Sequence, residues 1–270
     1  MEGLSDVIQR FNERIYTLRR RLACGLAALT VVAAGGCTVA LPPPEATPSE
    51  RYEWSRQRYD EEKYHDAIRG FRDLLFREPL HATSDSARYL LADSYFRTGD
   101  HLLAANEFRM LATSRPNSEV ADEAQFGMCR AYWEMSPSIP RDQDFTRRAI
   151  DACTRLMEFF PRSPLIPEAE LLISEANEKL AAKQARVGTW YFDRKLYESS
   201  IIYFEAIVQE FPQAEVIPEV LLRLHDSYSE VGFRAEAETV RGILLERFPD
   251  SPEARRFAPD GDQVPATAGQ

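Results

Sequence analysis

Glycine is scarce in this 270-residue chain, at 12 residues, and no triplet period spaces it, which excludes a collagen-like rod. Positive charge is in deficit as well: 33 Lys and Arg face 43 Asp and Glu, giving a formal net charge of −10. Nucleic-acid binding rests on clustered Lys and Arg that release counterions from phosphates, so no nucleic-acid partner is expected. Histidine is limited to His65, His81, His101 and His225, which stand apart and fit no metal-ligand spacing such as H-E-x-x-H. Neither a Gly-rich phosphate loop nor a nucleophile elbow occurs. These absences predict a protein with no catalytic residues, no metal and no small-molecule cofactor. What is plentiful is Leu, Ala and Glu within a 44% apolar composition, enough for a sizeable core and typical of a mostly helical protein.

The first 36 residues carry Arg10, Arg14, Arg19, Arg20 and Arg21 against Glu2, Asp6 and Glu13, a local charge of +2. Arg19-Arg20-Arg21 precedes the apolar and small-residue run Leu22 to Ala34, which is too short to cross roughly 30 Å of hydrocarbon. A basic cluster, a short apolar run and a small-residue exit describe a secretory signal over residues 1–36. The exit Ala34-Gly35-Gly36-Cys37 resembles the lipobox of bacterial lipoproteins, which implies acylation of Cys37 as a membrane anchor. Thr38, rather than Asp, follows the cysteine, which in such lipoproteins is compatible with export to the outer membrane. Residues 37–47 then read as a tether: Pro42-Pro43-Pro44 favours extended geometry, and at about 3.1 Å per residue the spacer would hold a folded body some 30 Å from the anchor.

Self-similarity fixes the expected fold. Ala67, Phe71, Leu74 and Pro79 recur 37 residues later as Ala104, Phe108, Leu111 and Pro116. The same offsets return Ala149, Cys153, Leu156 and Pro161, then Ser200, Phe204, Ile207 and Pro212, and finally Ala237, Arg241, Leu244 and Pro249. Upstream of the last four stand Ala92 with Tyr95, Cys129 with Tyr132, Gly188 with Tyr191, and His225 with Tyr228. Small residues let antiparallel helices approach, an aromatic fills the space beyond, and Pro ends the second helix. This pattern resembles the tetratricopeptide repeat and implies an all-α solenoid of about five helical hairpins.

Helix-start signals agree with that reading. Thr47-Pro48-Ser49-Glu50 offers a capping box, while Pro167-Glu168, Pro218-Glu219 and Ser251-Pro252-Glu253 repeat a Pro-then-acid start. One long helix is predicted from Pro167 to Asp193, about 40 Å at 1.5 Å per residue. The expected organisation is three repeats over 48–162, the long helix and two repeats over 163–250, and a disordered tail over 251–270. Cys129 and Cys153 fall at packing positions of the third repeat; they could bridge its two helices, but buried free thiols are the simpler expectation.

Tyr52 and Tyr59, Tyr89 and Phe96, and Phe126 and Trp133 are pairs seven residues apart, so each pair shares a helix face, and Phe192 continues the outer row. Two readings are open: the rings pack one repeat on the next, or they line a groove for a peptide. In the second, Arg56, Arg97 and Arg130 are interleaved to meet carboxylates. The lipobox, the Pro-rich spacer, the five repeats, Arg141-Asp142-Gln143-Asp144 and Phe160-Pro161-Arg162-Ser163-Pro164 together resemble the BamD family of outer-membrane protein assembly lipoproteins. That resemblance implies a non-enzymatic subunit of the β-barrel assembly machinery, lipidated on Cys37 at the periplasmic face of the outer membrane. It further implies binding of a BamA-like Omp85 barrel protein through the carboxy-terminal repeats, and of unfolded outer-membrane protein clients through the amino-terminal ones, beside other Bam lipoproteins. Another periplasmic repeat lipoprotein, such as a pilus-secretion pilotin or a cell-envelope coordinator, would share the anchor and the repeats.

Overall fold

A computed structural model describes residues 41–257. The expected signal segment and Cys37 lie outside the described residues, as does the end of the expected tail from residue 258. The chain divides after Pro43 into two compact units, and the second holds every helix of the described residues. These helices are α1 (Pro48–Asp60), α2 (Tyr64–Arg77), α3 (Ser84–Arg97), α4 (His101–Ser114), α5 (Ala121–Glu134), α6 (Asp144–Phe159), α7 (Ile166–Asp193), α8 (Tyr197–Glu210), α9 (Ile217–Val231), α10 (Arg234–Arg247) and α11 (Pro252–Arg255). Each of the first ten packs on its successor, which makes five hairpins.

The repeat pattern accounts for the packing. Ala67, Phe71 and Leu74 on α2, Ala104, Phe108 and Leu111 on α4, and Ala149, Cys153 and Leu156 on α6 are all buried. Gly188 on α7 is small for a reason that can be measured: a Cβ placed there would stand 2.6 Å from the ring of Phe204 on α8. Four of the five hairpins reverse through a left-handed residue at the same repeat position: Glu62, Gly99, Lys195 and Gly232, with φ of 58°, 84°, 60° and 86°. Thr47 and Glu50 form the expected reciprocal capping box at the start of α1.

Odd-numbered helices touch across repeats, α1 with α3, α3 with α5, α5 with α7 and α7 with α9. Among the described residues the even-numbered helices α2 to α10 make no such contacts with one another. The odd helices therefore form the inner wall of the solenoid and the even ones its outer layer. The inserted loop of the third hairpin is held by the buried Gln143 amide, which donates to the carbonyls of Ser138 (3.0 Å) and Arg141 (3.1 Å) while its Oε1 accepts from Thr146. From the long helix, Lys179 Nζ donates to Ser136 Oγ at 2.7 Å and Lys183 Nζ to the Arg141 carbonyl at 2.8 Å.

Three expectations change. Cys129 and Cys153 are not free thiols; they form a disulfide between α5 and α6, with Cα atoms 5.3 Å apart. Residues 251–257 are not tail: Ser251 caps α11, Ala254 is buried, and the Phe257 ring packs on His225 at 4.8 Å. Nor is the tether free up to Thr47. Arg51 is 5% exposed, and its guanidinium donates to the carbonyls of Pro44 (2.5 Å) and Ala46 (3.0 Å) and to Asp73 Oδ2 (2.5 Å). A buried guanidinium must spend its donors on acceptors, and here the two main-chain carbonyls supply them. Residues 44–47 are thereby fastened to α1 and α2, which shortens the expected 30 Å spacer.

Candidate functional site

The aromatic rows lie on α1, α3 and α5, hence on the inner wall, but the nine residues singled out from the sequence do not share one site. Tyr89 and Phe96 from α3 and Phe126 and Arg130 from α5 converge on a cavity of about 360 Å³. Phe108 and Gly127 also line it, and Pro164 and Leu165 close it from the loop before α7. Gly127 is required to be small, because a Cβ there would meet the Phe108 ring at 2.6 Å. Trp133 instead belongs to a shallower hollow with Ile139, Lys179 and Val216, where the Lys179 ammonium stands 5.0 Å from its ring. Partial burial of Lys179 pushes its pKa down.

Tyr52 and Tyr59 act mainly in packing. The Tyr52 ring lies 6.1 Å from that of Phe71, and Tyr59 donates its hydroxyl to Asp93 Oδ2 at 2.5 Å. Arg97 is committed to the same carboxylate, at 3.1 Å from Nε. Arg56 faces Glu53 and Asp60, each at 3.8 Å, and does not line the cavity. The expectation that three arginines point together into one groove therefore reduces to Arg130 alone. Heptad spacing places a side chain on a face; it does not reveal which carboxylate on its own or the next helix will take its charge.

Sequence reasoning missed the cavity's acidic lining: Asp93, Asp122 and Glu123. Two of the three have a donor from within the protein: Asp93 accepts from Tyr59 and Arg97, and Asp122 from Ser163 Oγ at 2.7 Å, while Glu123 is exposed. Burial, followed by the nearby Glu123 and Asp93 charges, pushes the Tyr89 pKa up to about 12. Arg130 is different. Its guanidinium lies over the Phe96 ring at 4.6 Å, and among the described residues no ion pair reaches it. The cavity thus offers aromatic surface, two internally satisfied carboxylates and one cation with hydrogen-bond donors to spare.

Among the described residues no group of His, Cys, Asp and Glu could hold a metal ion, and no helix is long and apolar enough to cross a membrane. The family model described as outer membrane lipoprotein, YfiO, matches residues 44–243, which run from the clamped Pro44 into α10. The outer membrane protein assembly factor BamD of Caulobacter vibrioides is 24% identical over 235 residues, covering 85% of this chain and 77% of its own. BamD of Rickettsia prowazekii is 23% identical over 192 residues, covering 71% and 76% respectively. Among solved structures, a thermophilic tetratricopeptide-repeat protein from Thermus thermophilus aligns at 16% identity with a TM-score of 0.35, over 78% of this chain and 96% of its own. With a family model spanning nearly the whole helical body, this chain belongs to the YfiO, or BamD, family of outer membrane lipoproteins.

Proposed function

We propose that this protein is a non-catalytic assembly factor for outer-membrane β-barrel proteins, held at the periplasmic face of the outer membrane by acyl chains on Cys37. Its relatives carry the name of that role, and the inner-wall cavity offers a means of performing it. The observation that carries the reading is the pairing of Tyr89, Phe96 and Phe126 with the Arg130 guanidinium, which forms no ion pair among the described residues. Aromatic surface beside a single available cation suits a peptide that ends in an aromatic side chain and a free carboxylate. Barrel clients, whose chains end in aromatic-rich strands, present such an end. The carboxy-terminal repeats, with their own core, supply a separate surface for a BamA-like Omp85 partner.

The test is a binding cycle with a fluorescent peptide copied from the end of a barrel protein, in free-acid and amidated forms. Arg130→Ala should weaken the free-acid peptide by about tenfold, roughly 1.4 kcal/mol, and leave the amidated one nearly unchanged. Phe96→Ala with Phe126→Ala should weaken both. Equal affinity of the wild type for the two peptides would remove Arg130 from the site. Recovery of the protein from solubilised envelopes without an Omp85-type partner would shift the reading to another class of repeat lipoprotein.

A further inference from the structure

Where the tether leaves the body, the structure exposes an apolar patch. Phe76, near the end of α2, is 88% exposed and Leu80, in the turn that follows, is 83% exposed; they are the two most exposed large apolar side chains among the described residues. Phe76 lies close to the tether clamp, and Leu80 follows it in the turn that ends α2. Asp73, which Arg51 grips through Oδ2, also accepts from Arg77 Nε at 2.8 Å, and Phe76 follows Asp73 by less than one helical turn. The Pro44 carbonyl, the Arg51 guanidinium, Asp73 and the end of α2 thus form one continuous chain of contacts.

Chain length sets how far this end of the solenoid can stand from an anchor. Seven residue steps separate Cys37 from Pro44, and fully extended they reach about 25 Å at most. Because residues 44–47 are pinned, they add nothing to that reach. A large aromatic ring and a leucine left almost bare are costly in water and gain by entering the boundary between headgroups and acyl chains. Resting on the Cys37 anchor reading, we propose that Phe76 and Leu80 dock the first repeat onto the lipid surface that receives the acyl chains, with the Arg51 clamp fixing its approach.

Depth-dependent quenching tests this. The full-length protein, with Cys37 in place and its acylation read by mass spectrometry, is reconstituted into phosphatidylethanolamine and phosphatidylglycerol vesicles with or without brominated acyl chains. Phe76→Trp adds a reporter at a solvent-exposed position, and the wild type gives the background from Trp54, Trp133 and Trp190. The added emission should fall by roughly half or more in brominated vesicles, as expected for a ring lying at the acyl boundary. Introducing Arg51→Ala into that variant should reduce the quenching, because freeing the chain from Pro44 up to the Thr47 cap adds three residue steps, about 11 Å at most, to the reach; circular dichroism checks that its helicity is retained. Acylated, vesicle-bound Phe76→Trp protein quenched no more than wild type overturns the docking proposal and leaves the anchor standing. Protein that carries no acyl group and stays free of vesicles overturns the anchor, and the docking proposal with it.

Discussion

Cys129 and Cys153 occupy the two positions that in repeats one, two and four pair a small residue on the odd helix with Phe on the even one: Ser55 with Phe71, Ala92 with Phe108, Gly188 with Phe204. At Gly188 the fit is so close that a single added carbon would collide with the Phe204 ring. The third repeat lacks that ring and substitutes a covalent bond between α5 and α6. With the bonded positions 24 apart in sequence, chain-entropy arguments give the disulfide about 3.5 kcal/mol of stabilisation through restriction of the unfolded chain. Such a bond suits an oxidising compartment. Replacing both residues, Cys129→Ala with Cys153→Ala, should therefore lower unfolding free energy in urea by about 3 kcal/mol or more, since the alanines also leave unfilled volume. Fully reduced wild type should lose a comparable amount, and identical urea midpoints with and without a reducing agent would show that the bond contributes nothing.

Neighbouring odd helices meet through tyrosines and carboxylates: Tyr59 on α1 donates its hydroxyl to Asp93 on α3, and the Tyr89 phenol on α3 feels the charge of Glu123 on α5. Burial, with the adjacent carboxylates, raises both phenol pKa values above the ordinary 10, and holds Tyr89 neutral up to about 12. A phenol whose folded pKa is raised favours the fold fully below pH 10, and that contribution is lost as pH climbs from 10 through the folded value. Helicity should consequently fall between about pH 10 and 12, and in Tyr59→Phe with Tyr89→Phe stability should depend less on pH across that window. Spectrophotometric titration in which every tyrosine ionises near pH 10 would contradict this. The rows of rings were readable from seven-residue spacing, as were the five hairpins, the capping box and the long helix, because period and capping are properties of a single helix. The carboxylates that meet those rings were not, since they come from another helix whose rotation depends on packing. For the same reason spacing placed both cysteines at packing positions but could not distinguish two buried thiols from one bond. It likewise missed the burial of Ala254 and the packing of the Phe257 ring on His225, although the Ser251-Pro252-Glu253 helix start was visible.

Across the whole molecule, two hydrophobic cores meet on α7. The first extends from Ala67 to Leu172 and the second from Leu180 to Ala254, so the 28-residue helix, about 42 Å long, contributes to both. Repeat arrays behave as chains of nearest-neighbour interfaces, and cooperativity between the two halves here must pass along α7. Uninterrupted backbone hydrogen bonding between Leu172 and Leu180 therefore joins repeats one to three with repeats four and five, aided by Lys179 and Lys183 holding the inserted loop and by Ile150 of α6 packing against the second core. Asn177, half-buried between the two cores, is a place to cut that connection without emptying either one. Asn177→Pro removes one main-chain donor and clashes with the preceding turn, a cost of about 3 kcal/mol confined to the junction. The wild type should unfold in urea as one transition, and the variant as two, with the disulfide-bonded half the later one to melt. Separate probes can follow them, Trp54 and Trp133 in the first half and Trp190 in the second. A variant that keeps a single coincident transition by both circular dichroism and Trp emission would show that contacts other than the shared helix couple the two halves.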